Sequence, residues 1–194
     1  MNLQQLMNPI LITLAIVTTL VITVLLVWLY LRKRRATTAG LRQRFGPEYE
    51  RAVQTHGSAS RAEAKLANRE TRVEKLKIRD LDPTERARFM LQWQSVQSRF
   101  VDYPKGAVTE ADELVSSLMQ TRGYPVTDFD QRAADISVDH PLVVDNYRSA
   151  HVIALRLGRD EASTEDLRTA MIHYRSLFED LVQVRAPEDK REVA

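Results

Sequence analysis

The sequence predicts an all-α protein, with one N-terminal transmembrane helix followed by a compact bundle of about five helices. Three observations lead there. Ile10 to Leu31 is a run of 22 residues without a charge. Downstream, apolar residues recur at steps of three and four, the spacing of one helix face. No strand-like alternation of useful length interrupts them.

At about 1.5 Å per residue the Ile10–Leu31 run makes a helix roughly 33 Å long, enough to cross a hydrocarbon core. Asn8 and Pro9 supply an N-cap and a first helical residue. Trp28 and Tyr30 place amphipathic rings at the other end, and Arg32, Lys33, Arg34 and Arg35 follow at once. Charge on this side alone predicts an N-terminus outside and a cytoplasmic domain. A cleaved signal peptide is the rival, but MNLQQLMN has no basic side chain and the apolar run is too long for one. Within the run, Ala15, Thr19 and Thr23 could form a ridge of small residues for helix pairing. The plainer expectation is that the threonine hydroxyls bond carbonyls one turn back. Arg42 and Arg44 extend the basic flank to six cations before Glu48, which could hold the linker against anionic lipid headgroups; the alternative is that only Arg32–Arg35 matter, as the topology signal.

The net charge of +2 reflects this flank. Without Arg32–Arg35, 24 basic residues face 26 acidic ones, a balance of −2. Such a domain lacks the basic footprint of a nucleic-acid binder, so none is expected as partner. The absence of cysteine excludes disulfide scaffolds, thiolate metal sites and cysteine nucleophiles.

The expected organisation is therefore a short segment 1–9, the span 10–31, a basic flank and linker 32–60, a helical domain 61–184 and a tail 185–194. Gly40, Gly46-Pro47 and Gly57-Ser58 punctuate the linker, leaving room only for short pieces such as Pro47–Gln54. A helix from Ser60 carries a thin stripe of Ala62, Leu66, Val73 and Leu76, better suited to packing on the domain than to a coiled coil. Asp82-Pro83-Thr84-Glu85 has the capping-box spacing, and Phe89, Trp93, Val96 and Phe100 share the following helix's apolar face. Val108 to Arg122 is the next helix, with Gly123 as the residue that ends it. Thr127 to Asp130 opens a short helix to about Ser137 that buries Phe129, Ala133 and Ile136. Asp139-His140-Pro141 breaks the chain before a helix striped by Val144, Tyr147, His151 and Leu155 and ended by Gly158. Ser163 and Asp166 cap the last helix, whose Leu167, Ala170, Met171, Tyr174, Leu177, Phe178 and Leu181 face the core. The tail is charged, contains Pro187 and has almost nothing to bury.

The densest polar constellation is Asp128, Arg132, Asp135, Asp139 and His140, with His151 a helix later. Carboxylates beside a histidine could bind a divalent metal or transfer protons. Charges bordering an apolar face more commonly serve as caps and salt bridges, and His151 lies on a core-facing stripe. No HExxH, GxSxG, GxxxxGK[ST] or GxGxxG pattern occurs, and no cofactor is expected.

The runs RGYPVTDFDQRAADISVDHPLVVDNYRSAH (Arg122–His151) and ASTEDLRTAMIHYRSLFEDL (Ala162–Leu181), with FGPEYERAV and LQWQSVQSRFVDYP, resemble an uncharacterised bacterial family of small single-pass membrane proteins. The resemblance implies a bacterial inner membrane and carries no activity or catalytic residue. The expected function is a membrane-anchored helical interaction or scaffold module with a protein partner. The alternative is a membrane-tethered enzyme or metal-binding domain using the Asp128–His140 region.

Overall fold

The computed structural model describes residues 3–125 and 127–183, without the side chains of residues 3–16, 27, 30, 31 and 33–36. All regular structure among the described residues is helical: α1 (Leu3–Phe45), α2 (Pro47–His56), α3 (Ala59–Val73), α4 (Pro83–Asp102), α5 (Pro104–Thr121), α6 (Phe129–Asp139), α7 (Val144–Leu157) and α8 (Thr164–Val182). The chain divides into two compact units, Met1–Gln43 and Arg44–Ala194.

The first unit is the greater part of α1. Val17, Leu20, Val21, Ile22, Val24, Leu25, Leu26, Trp28 and Leu29 are all exposed, at positions that together cover every side of the helix. The Arg32 guanidinium lies over the Trp28 ring, 5.3 Å from its centre. Thr23 Oγ1 donates to the Thr19 carbonyl at 2.8 Å, so this hydroxyl is engaged one turn back. Among the described residues, no helix is long and apolar enough to cross a membrane. Part of the Ile10–Leu31 run lies outside the described side chains, as do Asn8, Pro9, Ala15, Tyr30, Lys33, Arg34 and Arg35.

The stretch expected to be a linker is helical instead. α1 continues through Gly40 to Phe45. One interior glycine costs only about 1 kcal/mol, which strong helix formers on either side offset. The helix stops at Gly46, whose φ of 48° and ψ of −124° suit only glycine, and Pro47 starts α2. Gly57 closes α2 in the left-handed conformation, and the Ser58 hydroxyl accepts the Arg61 amide to cap α3. α2 and α3 pack as a hairpin, burying Tyr49, Ala52, Ala62, Leu66 and Val73. Packing within the domain is thus the fate of the α3 stripe, except for Leu76, which lies in the turn after α3 ends at Val73 and is half-buried.

The bundle proper is α4–α8, five helices as expected, and α2 and α3 add two more to the second unit among the described residues. α8 packs against both α5 and α7, and α4 against α5. Their shared core contains Phe89, Trp93, Val96, Val115, Leu118, Ile136, Tyr147, Leu177 and Phe178, among others. Trp93 stacks on Phe178 with ring centres 4.7 Å apart. The capping boxes at Asp82/Glu85 and Ser163/Asp166 both form, and every apolar position expected of α8 is buried.

Four boundaries differ from expectation. α5 begins at Pro104, because proline fits the first helical position and Ala107 already faces the core. Asp128, not Thr127, caps α6, accepting the Gln131 amide at 3.0 Å, and the helix reaches Asp139. α7 starts only at Val144, after a turn through Pro141. Its buried row advances by threes, through Val144, Tyr147, Ala150 and Ile153, which leaves Leu155 exposed. Residues 184–194, including the tail, lie outside the described residues.

Candidate functional site

α6 is the shortest helix of the α4–α8 bundle, yet its polar side chains reach four neighbours. Successive residues of a helix point about 100° apart, so a dense polar sequence fans outward rather than converging. That is the fate of the predicted cluster. Asp128 is spent on its own cap. Arg132 Nη1 donates to Ser116 Oγ of α5 at 3.0 Å. Asp135 is buried and accepts from Arg72 Nε of α3 at 2.9 Å and from Gln131 at 2.7 Å. Asp139 accepts the Tyr124 hydroxyl at 2.9 Å.

His140 is buried at the C-terminal end of α6. Its Nδ1 meets Asp180 of α8, and its Nε2 faces Arg122 Nη1 at 3.3 Å. A guanidinium can only donate, so the geometry assigns the ring proton to Nδ1. The same Nη1 donates to the Leu181 carbonyl at 3.0 Å. Arg122, itself buried, thus fastens the end of α8 to the end of α6. His151 goes elsewhere, stacking on Phe129 at 3.6 Å between ring centres. Burial holds its pKa below the usual histidine value. Among the described residues, no group of three or more His, Asp or Glu side chains could hold a metal ion.

One cavity does use a member of the cluster. A cleft of about 280 Å³ opens beside α5 and the start of α6, lined by Asp112, Ser116, Gln120, Tyr124 and Arg132, among others. That is near the lower limit for small-molecule sites. Asp112 accepts the hydroxyl of the buried Tyr174 at 2.9 Å. Burial, and then the Asp112 charge, push the Tyr174 pKa strongly upward. Burial likewise raises Tyr147 to about 12, with Arg132 opposing and Asp112 reinforcing the shift. Arg132 Nε, on a residue that lines the cleft, is buried without a hydrogen-bond partner. Such orphans cluster where a water or a ligand completes the network. Asp112, Ser116 and Tyr174 escaped sequence reasoning, because each sits at ordinary helical spacing among apolar neighbours.

The tightest charge site also escaped it. Glu48 of α2 is fully buried and accepts from Arg69 Nη1 at 2.7 Å and from both Arg148 terminal nitrogens at 2.7 and 2.9 Å. Burial raises its pKa, but Arg148 and Arg69 outweigh that and hold the carboxyl below its ordinary value. A paired, doubly gripped carboxylate of this kind is the form in which a buried charge is tolerated. Comparison with protein-family models, with curated proteins and with solved structures returns no match.

Proposed function

We propose that the chain is a single-pass, membrane-anchored helical interaction module of a bacterial plasma membrane, with its N-terminus outside and the second unit in the cytoplasm. The observation that carries this reading is the exposed apolar surface of α1, on every side from Val17 to Leu29. A contiguous apolar surface that large needs a lipid or protein covering, and a helix without a polar stripe suits lipid. Trp28 with Arg32 over its ring suits the headgroup level, where Arg32–Arg35 would meet anionic lipids. The compact α2–α8 unit, with its predicted cluster distributed among structural partners, is then the part that engages a protein partner.

The absence of cysteine makes the topology testable with single labels. Asn2→Cys should react with an impermeant maleimide in intact spheroplasts, and Lys65→Cys only after permeabilisation. The chain should stay in the membrane pellet through alkaline carbonate. Release by carbonate, or labelling of Lys65→Cys from outside, would reject the anchor or its orientation.

The orphaned Arg132 Nε at the cleft favours a second reading, a domain that binds a small polar ligand beside Asp112 and Ser116. Arg132 would meet an acceptor and Asp112 a donor. A metabolite that raises the melting temperature of the full chain, and fails to do so after Arg132→Gln, would favour it.

A further inference from the structure

The α2–α3 hairpin is built differently from the rest of the second unit. Its buried apolar residues, Tyr49, Ala52, Ala62, Leu66 and Val73, are not part of the core shared by α4–α8. α3 packs against α6, and a set of arginine contacts fixes the hairpin to the bundle. Arg148 of α7 grips Glu48 of α2, and Arg72 of α3 pairs with Asp135 of α6 at 2.9 Å. Arg69 of α3 reaches Ser137 of α6 at 3.3 Å. Arg51 of α2 lies 3.8 Å from Asp145 of α7. At three of these points opposite charges meet, which makes the attachment specific.

The hairpin is bounded by Gly46 and by a turn, with Arg44 of α1 paired to Glu70 of α3 across the first. Gly46 precedes it in a conformation that other residues rarely adopt. A turn at residues 74–76 follows α3. Beyond that turn the chain is pinned to the bundle, where the Arg79 amide donates to the Arg122 carbonyl at 2.9 Å and Gly123 packs against the Lys77 carbonyl. Motion of the hairpin therefore ends at residues 74–76 and does not propagate into α4.

We propose that the α2–α3 hairpin is a releasable clasp on the α6–α7 face, latched by the Glu48–Arg148 and Asp135–Arg72 pairs. In the closed state it covers Asp135, Ser137 and Val138, all buried. In the open state it uncovers that face while the α4–α8 core stays intact.

Hydrogen exchange read by mass spectrometry on the full chain in detergent micelles tests this. Glu48→Gln should speed exchange of residues 47–73 by about tenfold or more while α5 and α8 keep their protection. Concentrated salt should shift the wild-type hairpin the same way, because Arg72 and Arg51 are solvent-accessible. Arg72→Gln, which removes the outer pair, provides a second variant with the same expected pattern. Loss of protection in α5 and α8 together with the hairpin, in either variant, would overturn the proposal. So would a hairpin whose exchange is unmoved by both substitutions.

Discussion

Arg148 and Glu48 meet as a two-pronged ion pair across 100 residues of sequence, with the carboxylate wholly out of water. Removing one partner from such a site leaves the other charge without compensation, which costs about 3–5 kcal/mol when burial is deep. Arg148 and Arg69 keep some exposure, so Glu48→Ala should sit at the lower end, about 3 kcal/mol. Urea denaturation checks the size.

The same carboxylate makes stability depend on acidity. Its folded pKa lies below the unfolded value near 4.5, so the pair stabilises the fold at neutral pH. That contribution is retained down to the unfolded pKa and fades as pH falls through the folded one. The wild-type chain should therefore lose stability below about pH 4.5 more steeply than Glu48→Gln, which has no proton to take up. Parallel melting curves for the two would contradict this.

Trp93 is 4 % exposed and stacked on Phe178, so Trp93→Ala should cost about 3–5 kcal/mol through the cavity it leaves. Its indole Nε1 is buried with no partner. Trp93→Phe keeps the stack and discards the unsatisfied donor, and should cost less than about 1.5 kcal/mol. Thermal melts of the two variants separate packing from polarity.

Gly123 has φ of 98°, and a Cβ there would lie 2.4 Å from the Lys77 carbonyl oxygen. Backbone cannot move aside cheaply, so Gly123→Ala should lose about 2 kcal/mol or more. Gly40→Ala, in open space within α1, serves as the control and should not destabilise.

Glu85 is held at a pKa of about 2, first by two hydrogen bonds from Arg79 and then by the Asp82 amide. Arg79→Gln should move that value upward, toward the ordinary carboxylate range, in a carboxyl-carbon NMR titration. No change would show that the capping amide alone sets it.

The sequence discloses some of this architecture and hides the rest for identifiable reasons. The stripe of α8 and the boxes at Asp82/Glu85 and Ser163/Asp166 depend on residues within a few positions of one another, so spacing alone reveals them. Leu155 was misplaced because the orientation of α7 is set by both α5 and α8, information that its own fourteen residues lack. The predicted linker read as broken because glycine signals are local, whereas a strong helix on either side overrode Gly40. The density of the polar cluster is legible in the sequence, yet its fan across α3, α5 and α8 depends on where those helices end up. Glu48 was invisible as a buried charge, since both arginines that neutralise it lie 21 and 100 residues away.

That separation has a consequence for synthesis. Chain elongation at about 5–20 residues per second leaves an interval of roughly 5–20 s between the appearance of Glu48 and of Arg148. During it the nascent α2–α3 segment has one of its two arginine grips and no α7 to dock on. Docking of this hairpin on α7 therefore cannot begin until Arg148 has been made, whereas its own α2–α3 packing can form earlier.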